Sequence, residues 1–515
     1  MPAHPKAPEG ADAAAWETLS RAMSELRALA GVSGLLGWDQ ETYMPPKASA
    51  ARGEQVAAIE GAIHDRLASA EVRGALERLE AHPPEDADRA AAVRELSRDH
   101  AQAAAVPGAL VRAIARAQSE GLEAWRVARQ GEGFGRFAPA LSRLLELRRE
   151  QAAALLPVLG RPGGGPAPEP YDALLDLSEP GLRVVALEPL LRGLCAWLVP
   201  LLDRITARPP PDDSFLHGTF DGEAQWRFTL ELLDLMGFDR EAGRQDRSVH
   251  PFTVGLDPSD VRITTRIHEH LPLSAAFSTL HEAGHGLYEQ QLPAALRQTV
   301  LCAAASNGLH ESQSRLWENQ VGRSLPFWRV ALPRMARHLP QLSGVSPERF
   351  FRAVNRVERS LVRVEADEVT YNLHIVLRFE LELLLLRGKL EVRDLPAAWD
   401  ERSERLLGIR PPGEVEGVLQ DIHWAWGAFG YFPSYTVGNL YAASLFAAAR
   451  RALPGLEGAI ERGELSGLKE WLGRNVHAVG RRRQAEEIVR AVTGQGLTDR
   501  DLREYLERKY LGELA

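Results

Sequence analysis

The chain has 515 residues, 45% of them apolar and 25% charged, with a formal net charge of −9. That balance permits a large buried core and excludes a fibre, a disordered tail or a disulfide-stapled module, since Cys195 and Cys302 are its only cysteines. It offers no basic footprint, and the three arginines at 481–483 are too short a run to make one, so no nucleic-acid partner is expected.

The start at Met1 lacks the apolar stretch of a secretory signal, which points to a cytoplasmic protein. Apolar residues then recur at helical spacing over 15–30, 50–80, 90–117 and 136–157. Glycine and proline mark loops at 160–170 and 207–213, and helical patterns resume from 186. Residues 249–265 are the best candidate for a little β-structure. The apolar stretch 361–386 is interrupted by Arg363, Glu365, Asp367, Glu368, Arg378 and Glu380, so it reads as a core helix rather than a membrane span. No break separates segments of different composition. The expectation is an all-α protein with at most a small β element, one domain over 1–515, with an N-terminal helical region at about 13–160 and a metal-binding core at about 245–445.

Residues 281–285 read HEAGH. Two histidines four apart on a helix point the same way, so His281 and His285 can both reach one metal ion, while Glu282 sits where its carboxylate can act on a water beside that ion. The flanking Phe277, Leu280, Leu287 and Tyr288 have the spacing of a buried helix, on which two unpaired imidazoles would be costly. A hydrolytic site needs a third protein ligand and an open position. A third histidine six residues beyond His285 is excluded because that position is Gln291. Glu289 is a local candidate. Glu311 is the stronger one, because 25 intervening residues allow one helix to end and a neighbour to pack against it.

HEAGH followed by HESQSRLWEN at 310–319 resembles the M32 metallocarboxypeptidases, the Taq carboxypeptidase family. The likeness continues in LLGWDQETYMP at 35–45, YDALLD at 171–176, HPF at 250–252, DVRIT at 260–264, VRVEAD at 362–367, GVLQDIHW at 417–424 and FPSYTVGN at 432–439. It implies a helical domain with a deep groove and a metal at its floor, usually a homodimer, acting on peptides with a free C-terminal carboxylate. Specificity should be broad, with proline disfavoured. The resemblance carries the ligands onto His281, His285 and Glu311 and the general base onto Glu282. It places oxyanion stabilisation on His423 and Tyr435.

Two imidazoles and a carboxylate leave a divalent ion net positive. Zinc is the expected ion, and cobalt accepts the same mixed donors. An exopeptidase must also grip a carboxylate, for which a guanidinium is the best fit. Arg363 resembles the family's carboxylate-binding arginine, against the alternative of a salt bridge to Asp367 one helical turn on. Arg262 is a second candidate, against bracing by Asp260. Asp421 is a candidate orienter of a histidine, and Trp38 and Asp39 read as groove wall or packing. Two other readings stand beside the exopeptidase: an oligopeptidase cutting internal bonds with the same ligands, and a peptide-binding protein that has lost the chemistry.

Overall fold

The computed structural model describes residues 10–159 and 166–514. Helices dominate, as the periodicity predicts. Ala11–Thr42, the longest, buries Leu19, Ala22, Met23 and Leu26 at the spacing of one helix face. Ala70–Ala81 and Ala87–Ala105 follow, each started by a side chain that accepts a free backbone N–H: Ser69 from Val72 and Asp86 from Arg89. These helices close a small apolar cluster of their own around Leu19, Leu76 and Leu96, into which Leu301 inserts from the rest of the chain. Arg481 and Arg482 lash the same group down through Asp99, Glu95 and Asp88, while Arg483 is exposed.

The large core runs from Val106 to Tyr510. At its centre Thr370–Leu386 and Pro433–Ala452 are buried on almost every side, as expected of helices that are apolar all round. Val184–Thr206 has the length and apolarity of a membrane span, but Leu187, Leu191, Leu194 and Leu198 on one side of it belong to this core. Residues 160–165 of the first expected loop lie outside the described residues, and helix returns at Pro170.

The β element is larger than expected. Strands β1 (Gly243–Arg247), β2 (Thr253–Asp257) and β3 (Asp260–Thr265) form one sheet in the order β1-β3-β2, with β1 parallel and β2 antiparallel to β3. The sheet packs one face on the helix Pro272–Gln290, which carries HEAGH. A Cβ on Gly286 of that helix would meet Ile263, and one on Gly255 of β2 would meet Glu289. The opposite face, with Val254 and Leu256, meets Gly34 of the N-terminal helix.

Two glycines set how closely the remaining helices approach. A Cβ on Gly284 would lie 2.7 Å from the Gln313 carbonyl oxygen, and one on Gly438 would lie 2.6 Å from Glu311 Cγ. The helix Asn307–Arg315 is therefore sandwiched, nearly backbone to backbone, between the motif helix and Pro433–Ala452.

Candidate metal centre and active site

The motif helix turns His281 and His285 toward Glu311. Their Nε2 atoms lie 3.6 and 3.2 Å from Glu311 Oε2, and one ligand atom from each residue falls within 4.8 Å of the others. Glu311 itself is positioned by Ser306, which caps its helix, and by Arg315 Nε, which donates to Oε1 at 2.7 Å. Burial disfavours its charge, yet Arg315 and the histidines hold its carboxyl well below the usual range. One anionic oxygen facing two imidazole nitrogens fits a small divalent cation held by three protein ligands.

His281 Nδ1 is 2.8 Å from Glu318 Oε2. That carboxylate fixes the ring so that Nε2 is the free donor, a common device behind metal-bound histidines. Arg315 also reaches Glu318, at 3.2 Å, so one guanidinium bridges a ligand and the carboxylate behind another. His285 is steadied differently: its ring stacks on His310, centroids 4.4 Å apart, and His310 Nε2 lies 2.8 Å from Glu289. Glu289 is thus engaged away from the three ligand atoms.

Glu282 is 6% exposed and hydrogen-bonded by the Thr253 hydroxyl at 2.7 Å on Oε2, with its backbone carbonyl 3.0 Å from the same hydroxyl. Burial pushes its carboxyl above the ordinary value, and His281 and Thr253 pull the other way. Strand β2 thereby orients the residue expected to act as base.

Tyr435 lies one turn before Gly438 on the face toward Glu311, and its hydroxyl is 3.2 Å from His423 Nε2. Burial pushes His423 down to about 3, so it is a neutral ring at physiological pH. Tyr371 connects the two halves of the site: Arg315 sits 4.2 Å over its ring, and its hydroxyl accepts from Arg363 Nη1 at 3.0 Å.

Arg363 is not on the α-helix that begins at Thr370. It occupies the short turn Arg363–Glu365 ahead of Thr370–Leu386 and does not pair with Asp367, which instead accepts the Val369 and Thr370 N–H groups at that helix's start. Its partner is Asp421, whose Oδ1 lies 3.0 Å from Nε and 2.8 Å from Nη2. Asp421 Oδ1 is 3.8 Å from His423 Nδ1, beyond hydrogen-bond reach. Asp421 therefore orients no histidine by hydrogen bond; the carboxylate that does so at the candidate ligand His281 is Glu318.

Arg262 is clamped by both oxygens of Asp260 at 3.0 Å and lies 4.3 Å over Trp38, on the sheet face turned from the motif helix. The structure brings it together with the N-terminal helix rather than with the metal ligands. Asp39 pairs with Arg52.

Thr253, Arg315, Glu318, Tyr371 and Arg378 were not singled out from sequence. Glu318 left a signal: it stands seven residues after Glu311, two turns along the same face.

The family described as Carboxypeptidase Taq (M32) metallopeptidase matches residues 18–510. Thermostable carboxypeptidase 1 of Thermus thermophilus is 45% identical over 96% of this chain and 98% of its own length. Carboxypeptidase 1 of Bacillus subtilis is 37% identical over 92% and 94%. The crystal structure of the M32 carboxypeptidase from Deinococcus radiodurans superposes with a TM-score of 0.93 at 40% identity, covering 97% of this chain and 99% of that one. The chain belongs to the M32 family of metallocarboxypeptidases.

Proposed function

We propose that this carboxypeptidase removes single residues from the free C-terminus of peptides of broad sequence, with zinc as its resident ion and cobalt as an acceptable substitute. One observation carries the reading: Tyr371 joins the metal-side Arg315 to the buried Arg363, so a carboxylate anchor lies one side chain away from the hydrolytic centre.

A divalent ion bound by His281, His285 and Glu311 supplies positive charge that acidifies a water and polarises the scissile carbonyl. Glu282 takes the water's proton through Oε1, the oxygen that Thr253 leaves open, and delivers it to the leaving amine. With its own proton on Nε2, neutral His423 donates to Tyr435 and leaves the phenol proton for the developing oxyanion. Arg363 receives the substrate carboxylate: Asp421 uses its Nε and one Nη2 hydrogen and Tyr371 one Nη1 hydrogen, so each Nη keeps one. Arg262 fits bracing of the sheet better than substrate contact. A homodimer, the usual assembly implied by the family resemblance, is checked by light scattering.

Arg363→Ala tests the exopeptidase reading. Removing one partner of a buried charge pair should lower kcat/KM for free-acid peptides on the order of a hundredfold or more, mostly through KM. Unchanged cleavage, or internal cleavage by the native enzyme, would move the reading to an oligopeptidase.

A further inference from the structure

Behind Arg363 lies a second guanidinium that the reaction as described does not use. Arg378 is fully buried on the core helix Thr370–Leu386, and its Nε donates to Asp421 Oδ2 at 2.6 Å. Its Nη1 donates to the His374 carbonyl and its Nη2 to Gln420 Oε1, each at 2.7 Å. Gln420 Oε1 also accepts the Arg363 backbone N–H at 2.9 Å, so both arginines are fastened to the same two residues. Asp421 is thus one anion shared between two cations.

The nearby titratable groups do not balance this excess. His423 and His374 are both pushed to about 3 by burial and are neutral. Glu382, one turn beyond Arg378, turns its oxygens to Trp424, Gly430 and Tyr171, and burial raises it to about 7. A buried pair of guanidiniums with one carboxylate between them is costly by itself. It becomes balanced when a second carboxylate arrives at Arg363.

We infer that Arg378 is a positioning residue for the substrate's C-terminal carboxylate: by holding the second oxygen of Asp421 it keeps that anion from neutralising Arg363, and so preserves the positive charge that the substrate completes. This rests on the reading of Arg363 as the anchor. Arg378 touches no substrate, and its influence passes through Asp421. With Arg378 uncharged, Asp421 becomes a full counter-ion to Arg363 and competes with the incoming carboxylate.

The test uses metal-loaded protein in a Glu282→Gln background, so that turnover is suppressed, and titrates an N-acetylated dipeptide and its C-terminal amide by calorimetry. Arg378→Met should lower the preference for the free acid by roughly ten- to thirtyfold, the size of a unit charge acting over several ångströms of partly screened interior. In turnover the loss should appear in KM, with kcat little changed. Arg378→Lys keeps the cation and should retain most of the preference. The decisive variant is Arg378→Met combined with Asp421→Asn, which restores the excess positive charge and should recover preference that the single substitution lost. A merely structural arginine predicts the opposite, with the double variant no better than the single and lysine no better than methionine, and either result overturns the inference. Arg363→Met is run beside them. If it keeps the wild-type preference, the anchor reading itself fails; if it abolishes the preference while Arg378→Met does not, only the role of Arg378 fails.

Discussion

His281 presents Nε2 to Glu311 because its Nδ1 is held by Glu318, and Arg315 ties Glu318 to Glu311. Three residues on successive turns therefore set the donor geometry before any ion arrives. Against burial, which disfavours charge, Arg315 and His281 hold Glu318 down at about 2, so it stays an acceptor throughout the working pH range. Glu318→Ala removes the acceptor without touching a ligand and frees the ring to rotate. It should weaken metal affinity about ten- to a hundredfold, measured by competition with a chelating dye, with the fold intact by circular dichroism. Wild-type affinity in that variant would show that Glu318 orients nothing.

At the level of elements, the site depends on how near three helices come. Gly284 and Gly438 lie where Cβ atoms would strike the helix carrying Glu311, from either side. Gly438→Ala pushes a methyl against Glu311 Cβ and Cγ and should cost about 1–3 kcal/mol of stability, as overpacked cores do. It should also lower bound metal in the purified protein, read by elemental analysis together with a melting curve; normal metal content at normal stability would contradict the close-packing account. The motif helix was legible from its residues because ligands four apart on an apolar face leave few alternatives. The parallel strand β1 was not, since Gly243–Arg247 is polar throughout and becomes a strand only by pairing with β3. Arg363 lies ahead of the α-helix for a related reason: Asp367 accepts the first N–H groups of Thr370–Leu386 and stops the apolar run from extending back to residue 361.

Across the whole molecule, an ion held by His281, His285 and Glu311 would cross-link two core helices rather than decorate the surface. Binding only the folded state, it should stabilise by about 4 kcal/mol when present at a thousand times its Kd. Chelation should therefore lower Tm by a few degrees and remove activity, and either zinc or cobalt should restore both; no change in Tm would mean that the ion does not join the helices. The mostly helical character and the ordered motifs from 35 to 439 could be read from the chain, and the structure brings the three candidate ligands His281, His285 and Glu311 together. The charge network behind the anchor could not, because Arg363, Arg378 and Asp421 are separated by up to 58 residues and their pairing is decided by the packing of a turn, a helix and a loop. In the sequence Arg378 looks like an interruption of an apolar stretch, and only burial shows it to be a paired cation.

The most direct measurement follows a metal-loaded sample acting on an N-blocked peptide and its C-terminally amidated twin by time-resolved mass spectrometry, with Glu282→Gln alongside. Stepwise loss of single residues from the free-acid peptide only is expected, slowed by a factor of about a thousand in the variant because general-base assistance is lost. Internal cuts in both peptides, or equal rates with and without the Glu282 carboxylate, would contradict this expectation.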